Sequence, residues 1–138
     1  MFLKILLAVF SIILFSFDIA SAKTLLYVIH ESKGKASVYN ADSEKLLKNI
    51  STGESPFHLA LLPDRKLIAV SHKGVRADYL KIIDASSGKI KVSPSIIVGR
   101  YRKTGEVYLS FDSRGRKLYA IDSSMNYVDI IETGKWKL

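Results

Sequence analysis

The chain has 138 residues, 21 Lys and Arg against 13 Asp and Glu, a net charge of +8 and no cysteine. Thiol nucleophiles, thiolate metal sites and disulfide frameworks are therefore excluded, and the length allows one small domain. Outside the cytoplasm a basic surface faces lipid headgroups, cell-wall polymers and acidic proteins; scattered lysines that only keep the chain soluble are the plainer account of the same charge.

The first segment has the pattern of a secretory signal. Lys4 gives a positive start, Ile5 to Phe17 is almost unbroken apolar sequence, and Ala20-Ser21-Ala22 is a small-x-small site. Cleavage is expected after Ala22, which predicts a periplasmic or secreted protein and leaves nucleic acid out as a partner. The apolar run is shorter than the roughly 20 residues of a membrane helix, although an uncleaved N-terminal anchor is the alternative. After Lys23, charges interrupt every apolar stretch, so no transmembrane segment is expected beyond the signal.

The rest of the chain reads as strands. Thr24-Leu25-Leu26-Tyr27-Val28-Ile29-His30 returns as Lys66-Leu67-Ile68-Ala69-Val70-Ser71-His72, and again as Arg116-Lys117-Leu118-Tyr119-Ala120-Ile121-Asp122. A period of roughly 40–50 residues is that of propeller blades or another repeat array. Between these phrases, Ala36-Ser37-Val38-Tyr39 alternates and ends in the turn Asn40-Ala41-Asp42-Ser43. Leu80-Lys81-Ile82-Ile83 precedes Asp84-Ala85-Ser86-Ser87-Gly88. Val107, Leu109 and Phe111 share one face of a strand, and Val128-Asp129-Ile130 alternates again. Leu59 to Leu62 and Ile96 to Val98 are continuous apolar runs that fit strands buried on both faces.

Aligned, the copies share a grammar. One strand ends at His30, His72 or Asp122. The next ends at Asn40, Asp84 or Glu132, where side chains that bond backbone amides make turns. A third strand follows at Leu46 to Ile50 and at Ile90 to Val98. A fourth, Phe57 to Leu62 or Val107 to Phe111, leads into the tight turns Pro63-Asp64-Arg65-Lys66 and Ser113-Arg114-Gly115-Arg116. Four strands per copy is the content of a propeller blade. The predicted fold is all-β, a partial propeller of about three four-stranded antiparallel blades over 23–138, with copies near 24–55, 56–104 and 105–138.

These residues resemble the YVTN-type β-propeller repeat. Leu26-Tyr27-Val28 and Leu118-Tyr119-Ala120 match its first strand. Ile82-Ile83-Asp84, Ser87-Gly88-Lys89 and Thr133-Gly134-Lys135 match its second strand and turn, and Ser55-Pro56 and Pro63-Asp64 match its last elements. His30, His72 and Asp122 depart from it, standing where the family has asparagine. Pro63-Asp64-Arg65 lacks the family's glycine, and Arg114 replaces its aspartate. The resemblance implies exported binding proteins, surface-layer modules or propeller subunits of periplasmic quinoprotein dehydrogenases. The chain begins without an inner strand and ends as an outer one starts. Three accounts stand: a truncated relic or piece of a larger protein, a homodimer or partner chain that completes the ring, and a small curved array with frayed ends.

Candidate sites are few. Arg100, Tyr101, Arg102 and Lys103 form the densest basic cluster, within the longest insertion, and are the candidate contact for an anionic ligand or cell-envelope component. His30 and His72, with Asp122, are potential metal ligands at equivalent strand ends; hydrogen bonding to an adjacent turn is the plainer role. Asp112, Asp122 and Glu132 lie near Ser110, Ser113 and Ser123, where turn capping explains them better than acid–base chemistry. His58 falls one residue off the family's histidine position and takes no role from it. No catalytic residue, metal site or cofactor is expected. The predicted function is an exported binding or scaffold module without catalysis of its own. The alternative is a fragment or subunit of a periplasmic propeller enzyme, quinoprotein dehydrogenase-like or lactonase-like.

Overall fold

The computed structural model describes residues 24–74, 78–92, 95–98 and 105–138. The expected signal segment and the basic loop Arg100 to Lys103 lie outside these described residues. The described chain forms β1 (Leu25–His30), a 3-10 turn (Glu31–Lys33), β2 (Lys35–Asn40), β3 (Leu46–Ser51), β4 (Pro56–Leu61) and β5 (Leu67–His72). It continues with β6 (Asp78–Asp84), β7 (Ile96–Val98), β8 (Val107–Phe111), β9 (Lys117–Asp122) and β10 (Tyr127–Glu132). All pairings are antiparallel. The sheets, in order, are β1-β2-β3, β4-β5-β6-β7 and β8-β9-β10.

Among the described residues, only the second sheet has the four strands expected of each unit. In the third, a single bridge between Glu132 and Lys137 stands where a fourth strand would run. The expected strand Ile90 to Val98 is likewise divided, into a bridge from Ile90 to Ile83 and the short β7. β7 pairs with β6 alone and is an edge. Ile97 is 56% exposed while Val98 on the opposite face is 2% exposed, so this run is covered on one face only, which corrects the expectation that it is buried on both. Leu59 to Leu61 come closer to that expectation and are half-buried.

The second sheet is the middle layer, and its sequence shows why. Ile68, Val70 and Ile83 turn one way, into a core with Val38 and Ile50 of the first sheet. Ala69, Leu80, Ile82 and Val98 turn the other way, onto Val107, Leu109, Leu118, Ala120 and Ile131 of the third sheet. A strand buried on both faces has no polar alternation to keep, hence the unbroken Leu67-Ile68-Ala69-Val70. Leu80, Ile82, Leu118 and Ile131 are fully buried, each contributing about 1.5–3 kcal/mol by leaving water. Val107 and Leu109 bury the face that alternation assigned them, with Phe111 packed at its edge.

Registers place all the connections at two rims. At the first, turns close the hairpins between β2 and β3, β4 and β5, and β8 and β9. Asn40 Oδ1 accepts from the amides of Asp42 and Ser43 at 2.9 Å each. Asp84 Oδ1 accepts from the amides of Ser86 and Ser87 and from both hydroxyls. The turns 62–66 and 112–116 are alike: Leu62 N–H donates to Leu67 O, and Asp112 N–H to Lys117 O. Gly115 takes φ +66° in one; Arg65 takes φ +61° at the same place in the other. The fold therefore keeps the turn without a glycine there, at a cost of about 1 kcal/mol. The Asp112 carboxylate, which receives the Lys117 amide at 2.8 Å, supplies an acceptor in the turn where Arg114 replaces aspartate.

Candidate functional site

The opposite rim gathers what the sequence singled out. His30 pairs with Lys35, His72 with Pro56 and Tyr79, and Asp122 with Val107 and Tyr127, all at strand ends on this rim. The basic insertion is bracketed here too. Val98 pairs with Asp78, and Gly105 N–H donates to Asp78 Oδ2 at 2.8 Å. The hairpins β1–β2, β5–β6 and β9–β10 also turn at this rim, and both links from one sheet to the next, β3 to β4 and β7 to β8, start and end here.

His72, at this rim, is 1% exposed. Its Nε2 donates to Thr52 O at 2.8 Å, while Nδ1 lies 3.1 Å from Val70 O. The ring stacks on Tyr79, with centroids 4.7 Å apart and 4° between planes. Two facing carbonyls favour a doubly protonated ring. Burial, the larger influence, opposes the charge, and the Lys81 ammonium adds to it, so the pKa is lowered from 6.5.

The segment 52–55, which carries the chain from the first sheet to the second, is clamped at this rim. Thr52 N–H and Gly53 N–H donate to Gly34 O, and Lys73 N–H donates to Ser55 O at 3.0 Å. Tyr79 Oη donates to Glu54 O. Gly34 has φ +58°, and a Cβ there would sit 2.7 Å from Gly53 O, so only glycine fits. Beside the clamp lies an open hollow of about 540 Å³, lined by Glu31, Ser32, Lys33 and Gly34 on one side and Gly53, Glu54 and Ser55 on the other. Lys73 spans from sheet to sheet: its ammonium is 3.4 Å from Glu31 Oε1 and 4.5 Å above the Phe57 ring.

The structure does not bring His30, His72 and Asp122 together. His30 Nε2 lies 2.9 Å from Ser37 Oγ, inside the first sheet. Asp122 Oδ1 caps its own turn, accepting from the amides of Ser124 and Met125. Adjacent-turn bonding is therefore observed for Asp122, while His72 bonds to the neighbouring sheet. Among the described residues no three His, Asp or Glu side chains converge as a metal site would need. Asp112 likewise caps a turn. Glu132 differs: it anchors its turn through its backbone carbonyl, which accepts from Lys135 and Trp136.

Two residues passed over in the sequence matter here. His58 Nδ1 accepts the Leu109 amide at 3.2 Å, and the ring packs edge-on against Tyr108. Ser71 Oγ donates to Val107 O at 2.8 Å. Together they fasten the second sheet to the third. Burial lowers the His58 pKa from 6.5. Strand phase alone marks His58 as turned toward the third sheet, since its odd-numbered neighbour Leu59 packs toward the first.

No family model matches the chain, and no curated protein matches it. Among solved structures, a chain of hydrazine synthase from Kuenenia stuttgartiensis superposes with a TM-score of 0.69 at 17% identity. The match covers 82% of this chain and 30% of that one. The fold is propeller-like. At such identity the likeness speaks for the fold alone, and this chain spans less than a third of the length of the protein it matches.

Proposed function

We propose that the chain is an exported, propeller-type binding or scaffold module of YVTN-like repeats, with no catalysis of its own. Its ligand-facing surface is the rim that holds His72, the hollow and the bases of the 99–104 insertion. One observation carries this reading: both links that carry the chain from one sheet to the next, the segment 52–55 and the connection from β7 to β8, begin and end at that rim. Rigid strands with variable loops at one end are the usual build of a recognition surface. Arg100, Arg102 and Lys103, with Tyr101 between them, supply the charge for an anionic ligand of the cell envelope.

Binding of the purified chain to vesicles of phosphatidylcholine, with and without phosphatidylglycerol, tests this directly. The anionic vesicles should bind it and release it as salt rises. Replacing Arg100, Arg102 and Lys103 by serine together should abolish that binding. Equal binding by the triple variant overturns the proposal. Mass spectrometry of the protein from its host tests export, with a mature chain starting at Lys23 as the expected result.

A second reading draws on the hydrazine synthase likeness. In it the chain is a fragment or subunit of a periplasmic propeller enzyme, quinoprotein dehydrogenase-like or lactonase-like, whose reacting groups lie on other blades or on a partner. Stable co-isolation with a catalytic chain would favour this reading over the first.

A further inference from the structure

The junction between neighbouring sheets is built from the same cross-strand pairs each time, and the two outermost sheets display the unused halves of it. In the first sheet Tyr27 pairs with Val38 and Ile29 with Ala36. These pairs face the second sheet, where Val38 is buried and Tyr27 and Ile29 pack against the shared core. In the third sheet Tyr119 pairs with Ile130 and Ile121 with Val128, in the same register. Here the pairs meet no further sheet: Ile121, Val128 and Ile130 are 40%, 47% and 48% exposed.

The receiving half repeats as well. On the second sheet it is Ile68 paired with Ile83, and on the third Leu118 with Ile131. All four are at most 1% exposed, each covered by the preceding sheet. The corresponding pair on the first sheet is Leu26 with Tyr39. Leu26 is 52% exposed, and with Val28 and Tyr39 it lines an apolar groove.

We propose that a second copy of this chain occupies both faces. The Tyr119–Ile130 face of one copy docks in the Leu26–Val28–Tyr39 groove of the other, continuing the junction already made twice within the chain. The contact is head to tail, because the two faces differ, so it must close into a ring or run on as a filament. Among the described residues each chain brings three sheets. Two such sets joined by two identical junctions give six, within the roughly four to eight blades of closed propellers. This assembly rests on the propeller-type stacking proposed above and not on any ligand, so it can fail while vesicle binding survives.

The test uses the full chain and its lack of cysteine. Light scattering at micromolar concentration should give the mass of two chains, and Val128→Glu should halve it with the far-UV spectrum unchanged, since Val128 is half exposed already. Val28→Cys and Ile121→Cys should cross-link through a short bismaleimide when mixed, and neither alone. A single-chain mass for the unaltered protein overturns the proposal. So does a two-chain mass that Val128→Glu leaves intact, or cross-linking of either cysteine variant with itself.

Discussion

The two rims are built by opposite means. At the hairpin rim each turn is closed within a few residues, by an Asx carbonyl or carboxylate taking amides beside it or by a left-handed residue such as Arg65 or Gly115. At the crossover rim the bonds are long-range: His72 to Thr52, Tyr79 to Glu54, His58 to Leu109 and Ser71 to Val107. Asp122 also caps its own turn at the crossover rim, and Lys48 reaches the Ala85 and Ser86 carbonyls of the next sheet at the hairpin rim. Most sheet-to-sheet bonds nevertheless lie at the crossover rim, so substitutions there should reach further than substitutions in the turns.

The largest effect should come from His72→Ala. It removes a fully buried ring, its bond to Thr52 O and its stack on Tyr79, and should destabilise the fold by about 3 kcal/mol in urea denaturation. A loss no larger than that of an exposed turn residue would erase the contrast between the rims. Next is Gly34→Ala, where the added methyl meets the Gly53 carbonyl at a left-handed φ. A cost of about 2 kcal/mol is expected, and a neutral result would mean that the clamp on 52–55 yields freely.

Acid should separate the rims by pH. His58 and His72 both have pKa values lowered from 6.5, chiefly by burial. The unfolded chain takes up protons near that value and the folded chain only below it, so their stabilisation is full above pH 6.5 and is lost as pH falls beneath it. At the hairpin rim, hydroxyls and amides of Ser86 and Ser87 hold Asp84 below the carboxylate range, and the Lys117 amide lowers Asp112. Their contribution is lost only below about 3.8. Urea midpoints should thus fall in two steps, and His72→Ala should shrink the first; a single acid step would merge the rims. The smallest effect is Arg65→Gly, which relieves the left-handed φ and should gain a few tenths of a kcal/mol, net of the flexibility it adds to the unfolded chain.

The hairpin rim was largely legible in the sequence, because its determinants lie within five residues of one another. Asn40 and Asp84 could be read as turn residues from their neighbours alone. The crossover rim was not, because its bonds join residues 20 to 51 positions apart. Nothing near Thr52 marks its carbonyl as the partner of His72, and nothing near Gly34 reveals the close pass of Gly53. Alternation correctly turned Val107 and Leu109 inward. It misread Ile97, because an apolar run does not say whether both faces of its strand are covered by another sheet.

The middle sheet's two buried faces have a consequence for synthesis. Val38 and Ile50 are finished before Ile68, Val70 and Ile83, which must cover them, exist. At roughly 5–20 residues per second this leaves the earlier face bare for a few seconds. Lys48 lies on the same strand as Ile50, and in the finished fold its ammonium donates to the carbonyls of Ala85 and Ser86 at 2.6 Å each. Until those carbonyls arrive, that charge lies on the strand that carries the uncovered face, a placement that disfavours association of apolar strands.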